Sequence, residues 1–219
     1  MKLLTHTTLM ARIEPKRPEQ IKGKIGNVVA CTWRGIPYLR TLPAHVKNPR
    51  TPMQQAQRTR FSVALSLLRP LTPVLRIGFH EGTVHQSAFN AAMSYTMRYA
   101  LKETAEGIAV DYRNTRISRG TLTGATEAVV VPGDGKAVFT WNNNCEIENA
   151  SPRDHALTVV YHKPSQTAVY ETMGALRNEG RAELNYPKDW QAEDLAIYLG
   201  FWNPKEKMAS ISECLWGGE

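Results

Sequence analysis

The segment His80-Glu-Gly-Thr-Val-His85 comes closest to a catalytic signature in this 219-residue chain. Zinc hydrolases hold their metal with two imidazoles at i and i+4 of one helix, beside a glutamate general base. Here the spacing is i and i+5. On a helix that sets the two rings about 140° apart instead of about 40°. Gly82 weakens a helix there as well. Two polar loop histidines are therefore expected, with no metal and no cofactor. Gly133-Asp-Gly-Lys136 has the residue types of a phosphate loop but not its GxxxxGK[ST] frame. A β run rather than a helix follows, so a hairpin turn is expected. Asp154 and His155 are sequence neighbours, and on a strand they point to opposite faces. No GxSxG elbow supplies them with a nucleophile. Glu146 and Glu148 lie in the polar connector NNNCEIENASPRD and read as solvated. Trp33, Trp141, Trp190, Trp202 and Trp216 could line a sugar site, but core and edge packing is the simpler use of them. Cys31, Cys145 and Cys214 are odd in number and never at CxxC spacing, against both a disulfide framework and zinc. No residue is nominated as catalytic, and the chain is expected not to be an enzyme.

Charge gives the stronger lead. Residues 1–75 hold 13 Lys/Arg against 2 Asp/Glu, a balance of +11; residues 76–219 hold 14 against 18, a balance of −4. Within the basic part, Lys22, Lys24, Arg34, Arg40, Lys47 and Arg50 flank Trp33 and Tyr38, and Arg58 and Arg60 follow. Such a mixture can meet phosphates and exposed bases, or an acidic protein surface. A solvated basic face is the structural alternative. No helix-turn-helix, RNP or zinc-finger pattern accompanies it. A protein partner or self-assembly is favoured, because Val28, Val29, Trp33 and Tyr38 suit a packed interface. Nucleic acid is the alternative partner. No run reaches the roughly 18 apolar residues of a membrane span. The start MKLLTHTTLM lacks a secretory apolar core, and Met10 offers a second start. A cytoplasmic or virion-associated location follows as an expectation.

The elements that would carry these residues divide the chain into three. Residues 1–22 read as an extended arm. Residues 23–106 read as a basic hairpin plus helices. Residues 24–33 form one strand, and Ile36–Leu42 returns as an edge or irregular segment because of Pro37. Thr51, Pro52 and Gln54 make a capping box with proline at the first helical position, predicting a helix over 52–69. Its apolar stripe runs through Met53, Ala56, Phe61, Ala64, Leu67 and Leu68, with Arg60 intruding. Thr72-Pro73 opens a second helix, 73–79, and Ser87 caps a third, about 88–102. After Gly107 short β runs alternate with turns: 108–112, 116–122, 126–131, 136–141, 156–162, 167–173, 181–186, 195–202 and 208–215. The spacing predicts an α+β chain whose residues 107–219 form an immunoglobulin- or fibronectin-III-like antiparallel β-sandwich. Val159, Tyr161, Ile197, Leu199 and Phe201 belong inside it.

Two segments together resemble a known family. Gly23-Lys-Ile-Gly-Asn-Val-Val29 with Trp33-Arg-Gly35 and Arg40 resembles the motif GKxGxVVxxxWKGxxxxR. Asn48-Pro-Arg-Thr-Pro-Met-Gln-Gln-Ala-Gln-Arg58 with Phe61 resembles the NPRTxxQQAxRxxF segment that follows it. Both belong to uncharacterised proteins abundant in Bacteroidota, grouped as a domain of unknown function. Val159–Tyr161, Asp189-Trp190 and Tyr198-Leu-Gly-Phe201 resemble that family's β-rich end. Arg34 stands where lysine is usual, which keeps the charge. Phage and mobile-element proteins carry similar NPRT segments. The resemblance implies no activity and no catalytic residue.

Overall fold

Thr51 starts a helix by local chemistry. Its backbone is extended, and its Oγ1 accepts from the Gln54 N–H at 3.3 Å. Pro52 follows with φ already helical and no N–H to leave unpaired. A computed structural model of the chain describes residues 11–12, 23–33, 36–43, 48, 50–81 and 86–218, with the side chains of residues 11, 12 and 33 outside that description. Helix α1 spans Pro52–Leu68, one residue short of the expected end. The cap is one-sided, since the Gln54 side chain makes no return bond among the described residues. Helix α3, Ala88–Tyr99, is capped the same way, Ser87 Oγ accepting from Asn90 N–H at 3.2 Å. It stops three residues before the expected end. Helix α2 is Thr72–Gly78, and Thr72 does not cap it: its hydroxyl donates back to the Arg69 carbonyl at 2.8 Å.

Contacts divide the chain into two units, Met1–Arg50 and Thr51–Glu219. The first holds strands β1 (Ala11–Arg12), β2 (Gly23–Ile25), β3 (Val28–Trp33) and β4 (Ile36–Thr41). They form one antiparallel sheet in the order β1-β4-β3-β2. The single strand expected over 24–33 is broken by a tight turn at Gly26-Asn27. Gly26 has φ +58, a left-handed conformation that costs glycine nothing. β4 is an inner strand rather than an edge. β1 pairs only with Leu39 and Tyr38, so Pro37 lies beyond that ladder.

The second unit is built around a five-stranded sheet. Its strands are β9 (His155–His162), β10 (Thr167–Glu171), β12 (Leu195–Asn203), β13 (Met208–Ala209) and β14 (Glu213–Trp216). The order is β10-β9-β12-β13, with β14 also on β12. A three-stranded sheet, β11-β8-β7, comprises β7 (Thr126–Pro132), β8 (Lys136–Asn142) and β11 (Arg181–Asn185). All pairings between these strands are antiparallel. Val160, Leu195, Ile197, Leu199 and Phe201 of the larger sheet share a core with Val130, Phe139, Trp141 and Leu184 of the smaller. The opposite face, through Val159, Tyr161, Ala196 and Tyr198, packs on Leu67, Leu68, Leu71, Val74, Leu75 and Met93. The helices thus form a third layer, which the two-sheet expectation did not contain. Every residue of β12 is buried, since both faces of the sheet are covered. Burying each such side chain stabilises by about 1.5–3 kcal/mol.

Hairpin β5 (Leu101–Thr104) and β6 (Gly107–Val110) occupies the stretch where the sequence texture changes, and its turn is residues 105–106. The run 116–122 is not a strand. Its Ile117 and Ser118 amides go to Ser212 Oγ, and the Arg119 amide goes to the Gly78 carbonyl. Only Leu122 makes an isolated bridge, to Ser210. On α1 the stripe is buried at Ala64, Leu67 and Leu68, but Met53 is 85 % exposed and Phe61 is exposed too. Residues 51–59 are all exposed. Among the described residues no single helix is long and apolar enough to cross a membrane.

Candidate binding surfaces

Pairing register decides which basic residues meet. Directly opposed residues in an antiparallel ladder share a face. Lys24 pairs with Val29, Val29 with Arg40, and Cys31 with Tyr38. Lys24, Tyr38 and Arg40 therefore stand on one face of the N-terminal sheet, beside Val29 and Cys31. Lys24 and Arg40 are exposed, and Tyr38 is half-buried. Ile25, Val28, Ala30 and Leu39 form the other face, with only Ala30 buried. The backbone of Trp33 pairs with Ile36. Lys22, Arg34 and Lys47 lie outside the described residues. Residues 1–50 hold 10 Lys/Arg against 2 Asp/Glu, a balance of +8.

Of the remaining predicted residues, Arg50 lies outside the described strands of the first unit, and Arg58 and Arg60 belong to α1 of the second. Arg50 precedes α1 and Arg58 is exposed on it. Arg60 is tied into the second unit: its Nη2 donates to the Met97 carbonyl at 3.0 Å, and its Nη1 stands 3.5 Å from the Glu103 carboxylate. Its place in the apolar stripe is explained by that reach to the end of α3.

The motifs weighed for catalysis are dispersed. His80 is exposed with its ring 6.1 Å from Trp202, and His85 lies outside the described residues. Glu81 accepts from the Thr121 and Ala209 amides. Gly133–Lys136 is the turn of the β7–β8 hairpin, closed by Gly133 N–H to the Lys136 carbonyl at 2.7 Å. His155 Nδ1 donates to the Gly174 carbonyl, away from Asp154. Trp141 and Trp202 are core residues. Burial raises the Cys145 and Cys214 thiols above their ordinary range, which keeps them protonated and poorly nucleophilic.

One charged cluster gave no signal in the sequence. Arg177 is fully buried. Its Nε meets Asp154 Oδ2 at 3.0 Å, Nη1 donates to Asn144 Oδ1 and the Gly124 carbonyl, and Nη2 donates to the Thr123 carbonyl at 2.7 Å. Its guanidinium lies 3.9 Å from the centre of the Phe201 ring. Asp154 also accepts from Asn203 Nδ2 and the Ser151 amide. Burial pulls the guanidinium below its ordinary value, and Asp154 opposes that pull. The Arg177 and Asp154 side chains are both fully buried, so the cluster acts as a clamp between loops.

A family model matches residues 20–213, taking in 20–50 of the first unit and 51–213 of the second. Its description is a family of unknown function, DUF6266. The chain belongs to this family. The match includes strands β2–β4, the three helices and strands β5–β13. No curated protein and no solved structure matches the chain.

Proposed function

We propose that this member of the family is a non-catalytic binding protein that works in an assembly. The N-terminal sheet would dock on an acidic protein surface. The observation that carries this reading is the shared face of Lys24, Tyr38 and Arg40, in a 50-residue unit with a balance of +8. A sheet of this size with a single buried side chain among the described residues gains little from its own packing. A covering partner would bury Val29 and Tyr38 while pairing the cations. A second copy of the chain offers acidic residues, because 76–219 balances to −4. In this reading the two-sheet region, of the immunoglobulin-like kind expected from sequence, acts as the carrier. The NPRT resemblance supports a virion or another mobile element as the setting of this assembly.

The second reading is nucleic-acid binding by the same face, favoured by the same cations beside Tyr38. Salt weakens both contacts and does not separate them. Size-exclusion chromatography with light scattering does, run with and without mixed-sequence DNA and RNA. Discrete oligomers indifferent to nucleic acid support assembly. A monomer that shifts with DNA or RNA supports the second reading. A monomer that ignores both defeats docking on a second copy and nucleic-acid binding alike.

A further inference from the structure

We infer that a cleft beside α3 is a site for a nucleotide-class ligand, with its base on Tyr99 and its phosphate between Arg98 and Arg119. The cleft lies wholly within the Thr51–Glu219 unit and goes beyond the N-terminal sheet proposed above. It encloses about 580 Å³ and is lined by Phe79, Tyr95, Arg98, Tyr99, Arg119 and Thr121, among others. Volumes of roughly 300–1,000 Å³ are usual for small-ligand clefts.

Three aromatic rings run along it. Phe79 and Tyr95 stand 6.5 Å apart and Tyr95 and Tyr99 5.0 Å apart, centre to centre. Tyr99 ends the row because α3 ends there, and it is 57 % exposed. A further flat π-system would extend the row at low cost. Arg119 already lies over the Tyr95 ring, 5.6 Å from its centre. Arg98 sits in the last helical turn, where the helix dipole favours a cation. Arg98 and Arg119 are exposed, and neither has an ion-pair partner among the described residues.

The floor is fixed and its one carboxylate is occupied. Glu81 accepts from the Thr121 amide at 3.2 and 3.1 Å, from the Thr121 hydroxyl at 2.8 Å and from the Ala209 amide at 2.8 Å. Gly120 leaves the space for it, since a Cβ there would collide with Glu81 Oε1 and the Ala209 carbonyl. The surrounding residues 51–100 carry five arginines, no lysine and only Glu81 as an acid. Guanidinium groups match phosphate in two-pronged fashion and stack on flat rings, which ammonium groups do not. A carboxylate peptide would pair with the arginines and leave the exposed ring without a role.

The test titrates the full chain by calorimetry with adenosine monophosphate, a short single-stranded oligodeoxythymidine and inorganic phosphate. Adenosine monophosphate should bind, and inorganic phosphate should not displace it at equal concentration. Tyr99→Ser and Arg119→Gln should each weaken binding about five-fold or more, the low end for loss of a stacking contact. Both side chains lie at the surface, and an unchanged unfolding midpoint would show the variants folded. Lys188→Gln, at an exposed position outside both surfaces, should leave this affinity unchanged. Equal affinity for the monophosphate and the oligonucleotide assigns a free nucleotide, and tighter binding of the oligonucleotide that Tyr99→Ser weakens assigns a nucleotide within a strand. Absence of binding at millimolar nucleotide overturns the inference. So does binding indifferent to Tyr99→Ser and Arg119→Gln, or displacement by phosphate or a polyglutamate peptide as effective as by nucleotide.

Discussion

Replacing Arg177 by methionine tests the deepest charge in the molecule. Methionine fills much of the volume and keeps the contact with Phe201, but it removes every guanidinium donor. Asp154 then stays buried with only the Asn203 amide and the Ser151 N–H as donors. The Thr123 carbonyl and Asn144 Oδ1 lose their Arg177 donors together, while the Gly124 carbonyl keeps only the Asn144 Nδ2 donor. Breaking a buried ion pair by removing one partner costs about 3–5 kcal/mol. A stability of about 5–15 kcal/mol is usual for a domain, so the loss is a large share of the whole. At this chain length it should lower the thermal midpoint by about 6–20 °C. Urea unfolding followed by far-UV dichroism gives the free energy directly, with the slope checked for two-state behaviour. Arg177→Lys should fall between, because one ammonium cannot reach acceptors spread over residues 123, 124, 144 and 154. Adding Asp154→Asn to Arg177→Met should recover part of the loss by removing the stranded charge. A loss below about 1 kcal/mol for Arg177→Met, the scale of an ordinary substitution, would refute the view that this clamp holds the loops together.

Two further outcomes follow from single groups. Thr51→Ala should cost on the order of 1 kcal/mol by orphaning the Gln54 amide, and an unfolding midpoint unchanged within error would show that the exposed start of α1 does not contribute to stability. Burial holds the Tyr161 and Tyr198 phenols protonated well above the ordinary value of 10.0, so their contribution is full below that value and is lost as pH rises above it, where the unfolded chain ionises first. Phenolate absorbance of these two should therefore appear together with alkaline unfolding seen by dichroism, and their ionisation in a chain still folded would sink the argument.

Local chemistry made much of the secondary structure legible. Thr51 and Ser87 cap their helices because the groups concerned are three residues apart, a distance the sequence itself displays. The alternation in 156–162 and 195–202 marked strands for the same reason, and Val159, Tyr161, Ile197, Leu199 and Phe201 are all buried. The Gly133–Lys136 turn was legible from its glycines. The charge division was legible because composition does not depend on folding.

Tertiary structure decided the rest. Whether an apolar face is covered depends on a surface supplied from far along the chain. β12 is buried on both sides because helices cover one face and β7, β8 and β11 the other, while Met53 and Phe61 stay exposed on the same α1 stripe that buries Ala64, Leu67 and Leu68. Arg177 looked like any surface arginine in the sequence; its acceptors come from residues 123, 124, 144 and 154, gathered only by folding. Lys24 and Arg40 share a face because Lys24 pairs with Val29 and Val29 with Arg40, and a one-residue slip in either ladder would put them on opposite sides. Tyr99, Arg98 and Arg119 become one cleft because the Arg119 amide bonds the Gly78 carbonyl at the end of α2, a contact across 41 positions that no local pattern encodes.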